Sequence, residues 1–293
     1  MDMLIIIGLF LLGLIFGSFV NAWVWRLGKQ LDANGDPKKL TNAQKQQYSI
    51  TKGRSMCPSC KHQLAPKDLV PLFSWLSLNG KCRYCKAKIG KQYPLVELAM
   101  AIMFVASYIF WPEDLQGSGY ILLVGFIATL VPLFALAIYD YKHLILPDKV
   151  LIVGIIIYSV FLFIYAVALK DFYIFGTAIL AGILYFAIFL SIFIASIVAQ
   201  KKGYTNKDWM GLGDVKLVFL LGLMIGKPTL VIVGMFIASM FGFLVNLPGL
   251  ISKKETFGSQ IPFGPYLIAG AIITILFGQI VLNWYTNILI NSI

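Results

Sequence analysis

Residues 119–148 read GYILLVGFIATLVPLFALAIYDYKHLILPD. From Tyr120 to Tyr139 the stretch carries no charge, and a helix of about 20 apolar residues is what crosses a bilayer core of about 30 Å. At Asp140 the character changes at once, and Lys142 and His143 follow. Similar apolar runs lie at Met3–Trp25, Leu95–Trp111, Lys149–Leu169, Phe172–Val198, Thr229–Leu250 and Tyr266–Ile280. Val215–Gly226 is too short to cross unaided. The chain is 59% hydrophobic and 13% charged, with a mean hydropathy of +0.83. That leaves too little polar surface to coat a soluble globule of 293 residues, so the expected solvent is lipid.

These runs predict an all-α polytopic membrane protein of about eight transmembrane helices, each satisfying its backbone hydrogen bonds internally. The first is expected to stay as an anchor, because Met1-Asp2-Met3 supplies no basic leader and no small-x-small cleavage site follows.

Charge orients the helices. Residues 26–94 hold 14 Lys/Arg against Asp32, Asp36 and Asp68, a net of +11 that equals the formal charge of the whole chain. Beside a membrane helix such a loop is expected to face the cytoplasm and anionic lipid rather than nucleic acid. Alternating the loops from there puts 22 Lys/Arg inside and only Lys170 and Lys227 outside, with both termini outside. Within the loop, the polar, turn-rich stretch around Asn34-Gly35-Asp36-Pro37 and Asn42–Gln47 predicts a mobile insertion.

All four cysteines follow, as Cys57-Pro-Ser-Cys60 and Cys82-Arg-Tyr-Cys85 with 21 residues between the pairs. Two residues between thiolates put both sulfurs on one knuckle, and two knuckles supply the tetrahedral four-sulfur shell that zinc prefers. A disulfide or redox pair and unligated buried thiols are the other readings of the same spacing. His62 is close in sequence, but a fifth donor is unnecessary.

Asp140 and Asp214, the latter in Met210-Gly211-Leu212-Gly213-Asp214-Val215-Lys216, fall on the cytoplasmic side by this topology. With Lys227-Pro228 at the outer interface, the 12 residues from Val215 to Gly226 rise only about 18 Å, which sinks Asp214 about 10 Å below the surface. Carboxylates there are costly unless paired or functional. Two brought together share a proton, giving a general base to activate water and a general acid to polarise a carbonyl. Plainer roles exist: Asp214 and Asp148 as helix caps, Asp140 as a partner of Lys142.

The motifs together resemble the type IV prepilin peptidases, also called leader peptidase/N-methyltransferases, of pilus, type II secretion and competence systems. The resemblance rests on Gly17-Ser18-Phe19-Val20-Asn21 with Arg26-Leu27, the two CxxC pairs, Asp68-Leu69-Val70-Pro71 leading to Ser74-Trp75-Leu76, and Tyr93-Pro94-Leu95-Val96-Glu97. It continues through Asp140 with Leu146-Pro147-Asp148, Gly211–Lys216 and Ile261-Pro262-Phe263-Gly264-Pro265, and so covers nearly the whole chain. It implies an aspartic protease with Asp140 and Asp214 as the catalytic pair. Its substrates would be prepilins or pseudopilins, cut at the cytoplasmic face of the cell membrane, with N-methylation of the new terminus from S-adenosylmethionine. No glycine-rich loop marks a site for that donor.

The expected organisation is a first transmembrane helix at 1–25, a cytoplasmic four-cysteine loop subdomain at 26–94 with a structural Zn2+ on Cys57, Cys60, Cys82 and Cys85, and a membrane-embedded aspartyl peptidase domain at 95–293. The Tyr139-Asp140 and Gly211–Asp214 elements also look like the presenilin and signal-peptide-peptidase pattern, but that family's Pro-Ala-Leu motif is absent from the sequence. A transporter or assembly scaffold with proton-carrying acids is the non-enzymatic alternative. Gly13-Leu-Ile-Phe-Gly17 predicts close helix packing. Asn21 and Glu97 are expected to bond one another or to meet headgroups. Ile261–Pro265 is expected to be a structural break or a contact to the substrate strand.

Overall fold

The computed structural model describes residues 2–32, 35–204, 209–251 and 261–291. Among them lie ten α-helices: α1 (Asp2–Gln30), α2 (Asn42–Gln47), α3 (Phe73–Ser77), α4 (Gln92–Ile109), α5 (Gly119–His143), α6 (Asp148–Leu169), α7 (Phe172–Lys201), α8 (Leu212–Ile225), α9 (Pro228–Ile251) and α10 (Gly264–Asn291). Seven of these, α1, α4, α5, α6, α7, α9 and α10, are long and apolar enough to cross a membrane. The chain is a multi-pass, all-helical membrane protein in two compact units, Met1–Ile109 and Phe110–Ile293.

In the first unit α1 packs along α4. A Cβ on Gly13 would fall 2.5 Å from the Ala101 Cα, and one on Gly17 2.5 Å from the Glu97 Cα, so the two glycines set the helix separation. Asn21 and Glu97 do not bond one another. The Asn21 amide donates to the Tyr93 carbonyl at 3.0 Å, and the Glu97 carboxylate accepts from the Leu72 N–H at 2.7 Å.

The polar stretch after α1 is tied down at several points among its described residues. A capping box joins Thr41 and Gln44 at the start of α2. The Arg26 guanidinium donates to the Ile50 and Gly53 carbonyls at 2.9 Å each, and the Gln30 amide donates to the Tyr48 carbonyl. Backbone acceptors that water would otherwise satisfy are tied to the end of α1. Asn34 lies outside the described residues.

In the second unit α8 is the central element. It touches α6, α7, α9 and α10, and its side chains from Leu217 through Ile225 are almost all buried. That explains how 14 residues suffice: surrounded by protein, a helix need not match the thickness of the lipid. At Gly222 a Cβ would meet the Gly182 Cα at 2.7 Å, so α7 and α8 approach to backbone contact. Phe126, Leu130, Leu133 and Leu136 of α5, Leu217, Leu220 and Leu221 of α8, and Leu267 of α10 are fully buried. Polar residues in this core are satisfied locally: the Thr129 and Thr274 hydroxyls each donate to the carbonyl four residues back, at 2.7 Å.

Candidate functional site

Asp140 sits in the last turn of α5, with only 5% of its surface exposed. The helix ends at Leu144, whose left-handed backbone (φ 54°) directs its N–H back to the Asp140 carbonyl at 2.8 Å. Pro147, itself extended, then caps the start of α6. Asp214 lies in the first turn of α8, where Gly211 is the capping residue and accepts the Asp214 N–H at 3.2 Å. Asp214 therefore is not the cap, although it falls in the acidic-favoured first turn.

The supports of the two carboxylates converge on one residue. Leu146 spans the gap between their supports: a Cβ on Gly213 would fall 3.0 Å from the Leu146 Cβ, and one on Gly264 3.5 Å from its Cδ2. The third support is the N-terminus of α10, where the Gly264 N–H donates to Asp140 Oδ2 at 3.0 Å. A side chain at 264 would place its Cβ 2.8 Å from that oxygen, so only glycine brings the amide this close. Ile261–Pro265 thus has a role beyond the two expected for it. The sequence showed the motif but not the contact, because a backbone N–H carries no residue signature.

Asp148 stands apart from the pair. It is the first residue of α6, it makes no side-chain cap, and it pairs with Lys216 at 2.8 Å. The expectation that it caps the fourth long helix is corrected: Pro147 holds the cap position, and the Lys216 ammonium in the first turns of α8 takes the carboxylate. Among the described residues neither Asp140 nor Asp214 makes an ion pair. Two carboxyls without an ion-pair partner among the described residues, at the meeting of three helix ends, are chemically able to take up and release a proton.

The first unit holds the second centre. Its two knuckles repeat one geometry. Met56 bridges to Gln63 across the first, and Lys81 to Lys88 across the second. The residue after each CxxC, Lys61 or Lys86, turns with φ 59° and donates its N–H to the Cys57 or Cys82 carbonyl. The four thiols are free, and all four sulfurs lie within 4.8 Å of one another. Cys57 Sγ and Cys85 Sγ are 3.8 Å apart, too far for a disulfide and equal to the edge of about 3.8 Å for a tetrahedron with metal–sulfur bonds of about 2.3 Å. The cluster fits a metal ion.

Burial pushes the Cys57 thiol up, but the Cys60 and Ser59 N–H groups and the Cys60 and Cys82 thiols outweigh it and bring it down to about 7. For Cys85 the Ala87 N–H is outweighed by burial and by the three other thiols, which push it up to about 11. Without a cation the cluster thus favours one thiolate over several. His62 lies outside it, tilted against Tyr84 with ring centroids 3.7 Å apart.

Asp68, in the short 3-10 turn Pro66–Asp68, braces the second knuckle against the first. Its carboxylate accepts from the Arg83 guanidinium at 2.6 Å, the Tyr84 hydroxyl at 3.1 Å and the Ala65 N–H at 3.2 Å.

Fold and site together define a polytopic membrane protein that combines a carboxylate pair at helix ends with a separate four-cysteine centre. Residues 11–111 match the model of the bacterial peptidase A24 N-terminal domain, and residues 127–247 match that of the type IV leader peptidase family. A prepilin leader peptidase/N-methyltransferase of Pseudomonas aeruginosa is 33% identical, over 94% of this chain and 91% of its own length. One from Aeromonas hydrophila is 31% identical over 96% and 93%. A type 4 prepilin-like proteins leader peptide-processing enzyme of Escherichia coli O78:H11 is 36% identical over 90% of both chains. No solved structure matches significantly. The chain belongs to the type IV leader peptidase family.

Proposed function

We propose that this chain is a membrane aspartic endopeptidase that removes the leader from type IV prepilin-like proteins and N-methylates the new terminus, with Asp140 and Asp214 as the catalytic pair. The observation that carries the reading is the convergence of the Asp140 and Asp214 supports on Leu146, with Asp140 held by the Gly264 N–H. In a low-dielectric site two close carboxyls hold one negative charge and one proton between them. The ionised member draws a proton from water as it attacks the scissile carbonyl, and the protonated member hydrogen-bonds the carbonyl oxygen. Collapse of the tetrahedral intermediate returns a proton to the leaving amine, and the pair regains its starting state. The Gly264 N–H holds Asp140 Oδ2 throughout.

The new amine is the methyl acceptor, and S-adenosylmethionine, when bound, supplies the methyl group. Zinc is the ion we assign to Cys57, Cys60, Cys82 and Cys85. Its tetrahedral preference suits the sulfur spacing, and its role there is to hold the two knuckles together. We place the protein in the cytoplasmic membrane, with the basic cysteine loop and the aspartates on the cytoplasmic side and both termini outside. The distribution of Lys and Arg supports this orientation. The loop's charge is assigned to anionic lipid rather than to a basic leader.

Incubating detergent-purified protein with a prepilin-like peptide, and locating the cut by mass spectrometry, tests the reading. Release of the intact leader is expected. A peptide left whole, or cut only within its apolar segment, would contradict it.

A further inference from the structure

The first unit encloses a cavity of about 270 Å³ between the ends of α1 and α4 and the cysteine loop. Ala22, Trp25 and Arg26 of α1, Glu97 of α4 and Trp75 of α3 line it, and none of them is used by the aspartate pair. Its charges are peculiar. Asp68 and Arg83, on the same wall, neutralise one another. Arg26 and Glu97 do not: each is buried, at 6% and 7% exposure, and among the described residues neither has a counter-ion. The Arg26 guanidinium meets only carbonyls, and Glu97 Oε2 meets the Leu72 N–H.

Burying one unpaired cation and one unpaired anion beside the same space is costly unless a ligand brings the complementary charges. That ligand is a zwitterion, with an ammonium for Glu97 and a carboxylate for Arg26. The aromatic walls add a second requirement. The Trp75 indole N–H donates to the Ile89 carbonyl at 3.2 Å, which fixes its ring, and Trp25 is held edge-on to Tyr48 at 5.7 Å between centroids. Fixed indole faces suit a flat heteroaromatic base and a soft cation. The Leu72 backbone adjoining Glu97 is held at φ 56° and ψ −51°, a positive φ outside the left-handed helical region and strained for leucine, and such strain gathers at ligand clamps.

We propose that this cavity is the binding site of the methyl donor: an S-adenosylmethionine-type ligand whose amino-acid end meets Glu97 and Arg26 and whose adenine meets the Trp75 and Trp25 faces. The inference rests on the methylating part of the proposed function and supplies the donor site for which the sequence carries no glycine-rich loop.

Equilibrium binding to the detergent-purified full chain, followed by isothermal titration, tests it without reference to catalysis. S-adenosylmethionine is expected to bind at one per chain. On the unaltered protein, 5′-methylthioadenosine, which keeps the base but lacks the amino-acid end, is expected to bind at least roughly 10-fold more weakly. Glu97→Gln should remove most of that difference, and Ala22→Phe, which fills the cavity, should weaken both ligands by roughly 10-fold or more. Equal affinity of the unaltered protein for the two ligands would overturn the proposal. So would unchanged S-adenosylmethionine binding in both variants. Failure of the peptidase reading would appear instead as an uncut prepilin peptide, with donor binding intact.

Discussion

The Gly264 N–H lies 3.0 Å from Asp140 Oδ2, and a Cβ on Gly264 would lie 2.8 Å from the same oxygen. One residue therefore both supplies a donor to the carboxylate and, by lacking a side chain, admits it. Gly264→Ala should push Asp140 off its partner while leaving the helices in place. Prepilin-peptide cleavage should lose roughly 10-fold to 100-fold in kcat, the range that misplaced reacting groups cost, with KM changed by no more than about threefold. Steady-state kinetics on the purified variant check the split.

The Asp148–Lys216 pair is also close to the site, but its side chains are 59% and 39% exposed. Ion pairs of that kind contribute about 0 to 1 kcal/mol. Lys216→Ala should therefore leave thermal stability nearly unchanged and cleavage within about fivefold of the unaltered protein. A complete loss would mean that Lys216 does more than join the starts of α6 and α8.

Metal analysis of purified, chelator-free protein should return about one zinc per chain, and Cys57→Ser or Cys82→Ser should reduce it to less than about half an equivalent. Chelation should make the 26–94 region hypersensitive to limited proteolysis. Metal-free protein that keeps the protease resistance of the untreated chain would remove the structural role.

Asp68 offers a pH test. Burial pushes its carboxyl up, but the Arg83 guanidinium, the Ala65 N–H and the Tyr84 hydroxyl together hold it below the usual carboxylate range. A depressed carboxylate contributes stability that is fully present above its unfolded value of about 3.9 and is lost as pH falls through the lower folded value. Asp68→Asn should destabilise the cysteine loop at about pH 7 by about 1 to 3 kcal/mol. The gap between variant and unaltered protein should close as pH falls through that lowered folded value. Proteolysis of the loop measured against pH reads both effects.

The sequence made the long helices legible because apolar length alone decides what can cross lipid, and the runs from Met3–Trp25 to Tyr266–Ile280 each became a helix. Residue 214 was legible as a special position because Val215–Gly226 was too short to span; the reason it is tolerated, burial among four other helices, is tertiary and left no mark on the run itself. The four cysteines converged as their spacing implied. The anchors of the polar stretch after α1 were not legible because composition reports solvation and not anchorage, and Arg26 and Gln30 lie on the preceding helix. The Gly264 amide and the Leu146 wedge were invisible for a related reason. One is a backbone group, the other an ordinary leucine, and only the meeting of α5, α8 and α10 gives them a partner.

The central claim is that Asp140 and Asp214 act as one catalytic unit. Single-turnover cleavage of a prepilin-like peptide by Asp140→Asn, Asp214→Asn and the double variant measures it most directly. The account predicts that each single change slows cleavage by roughly 100-fold to 10,000-fold, and that the double change costs little more than either alone. Cleavage that survives within a few-fold of the unaltered rate in either single variant would contradict it.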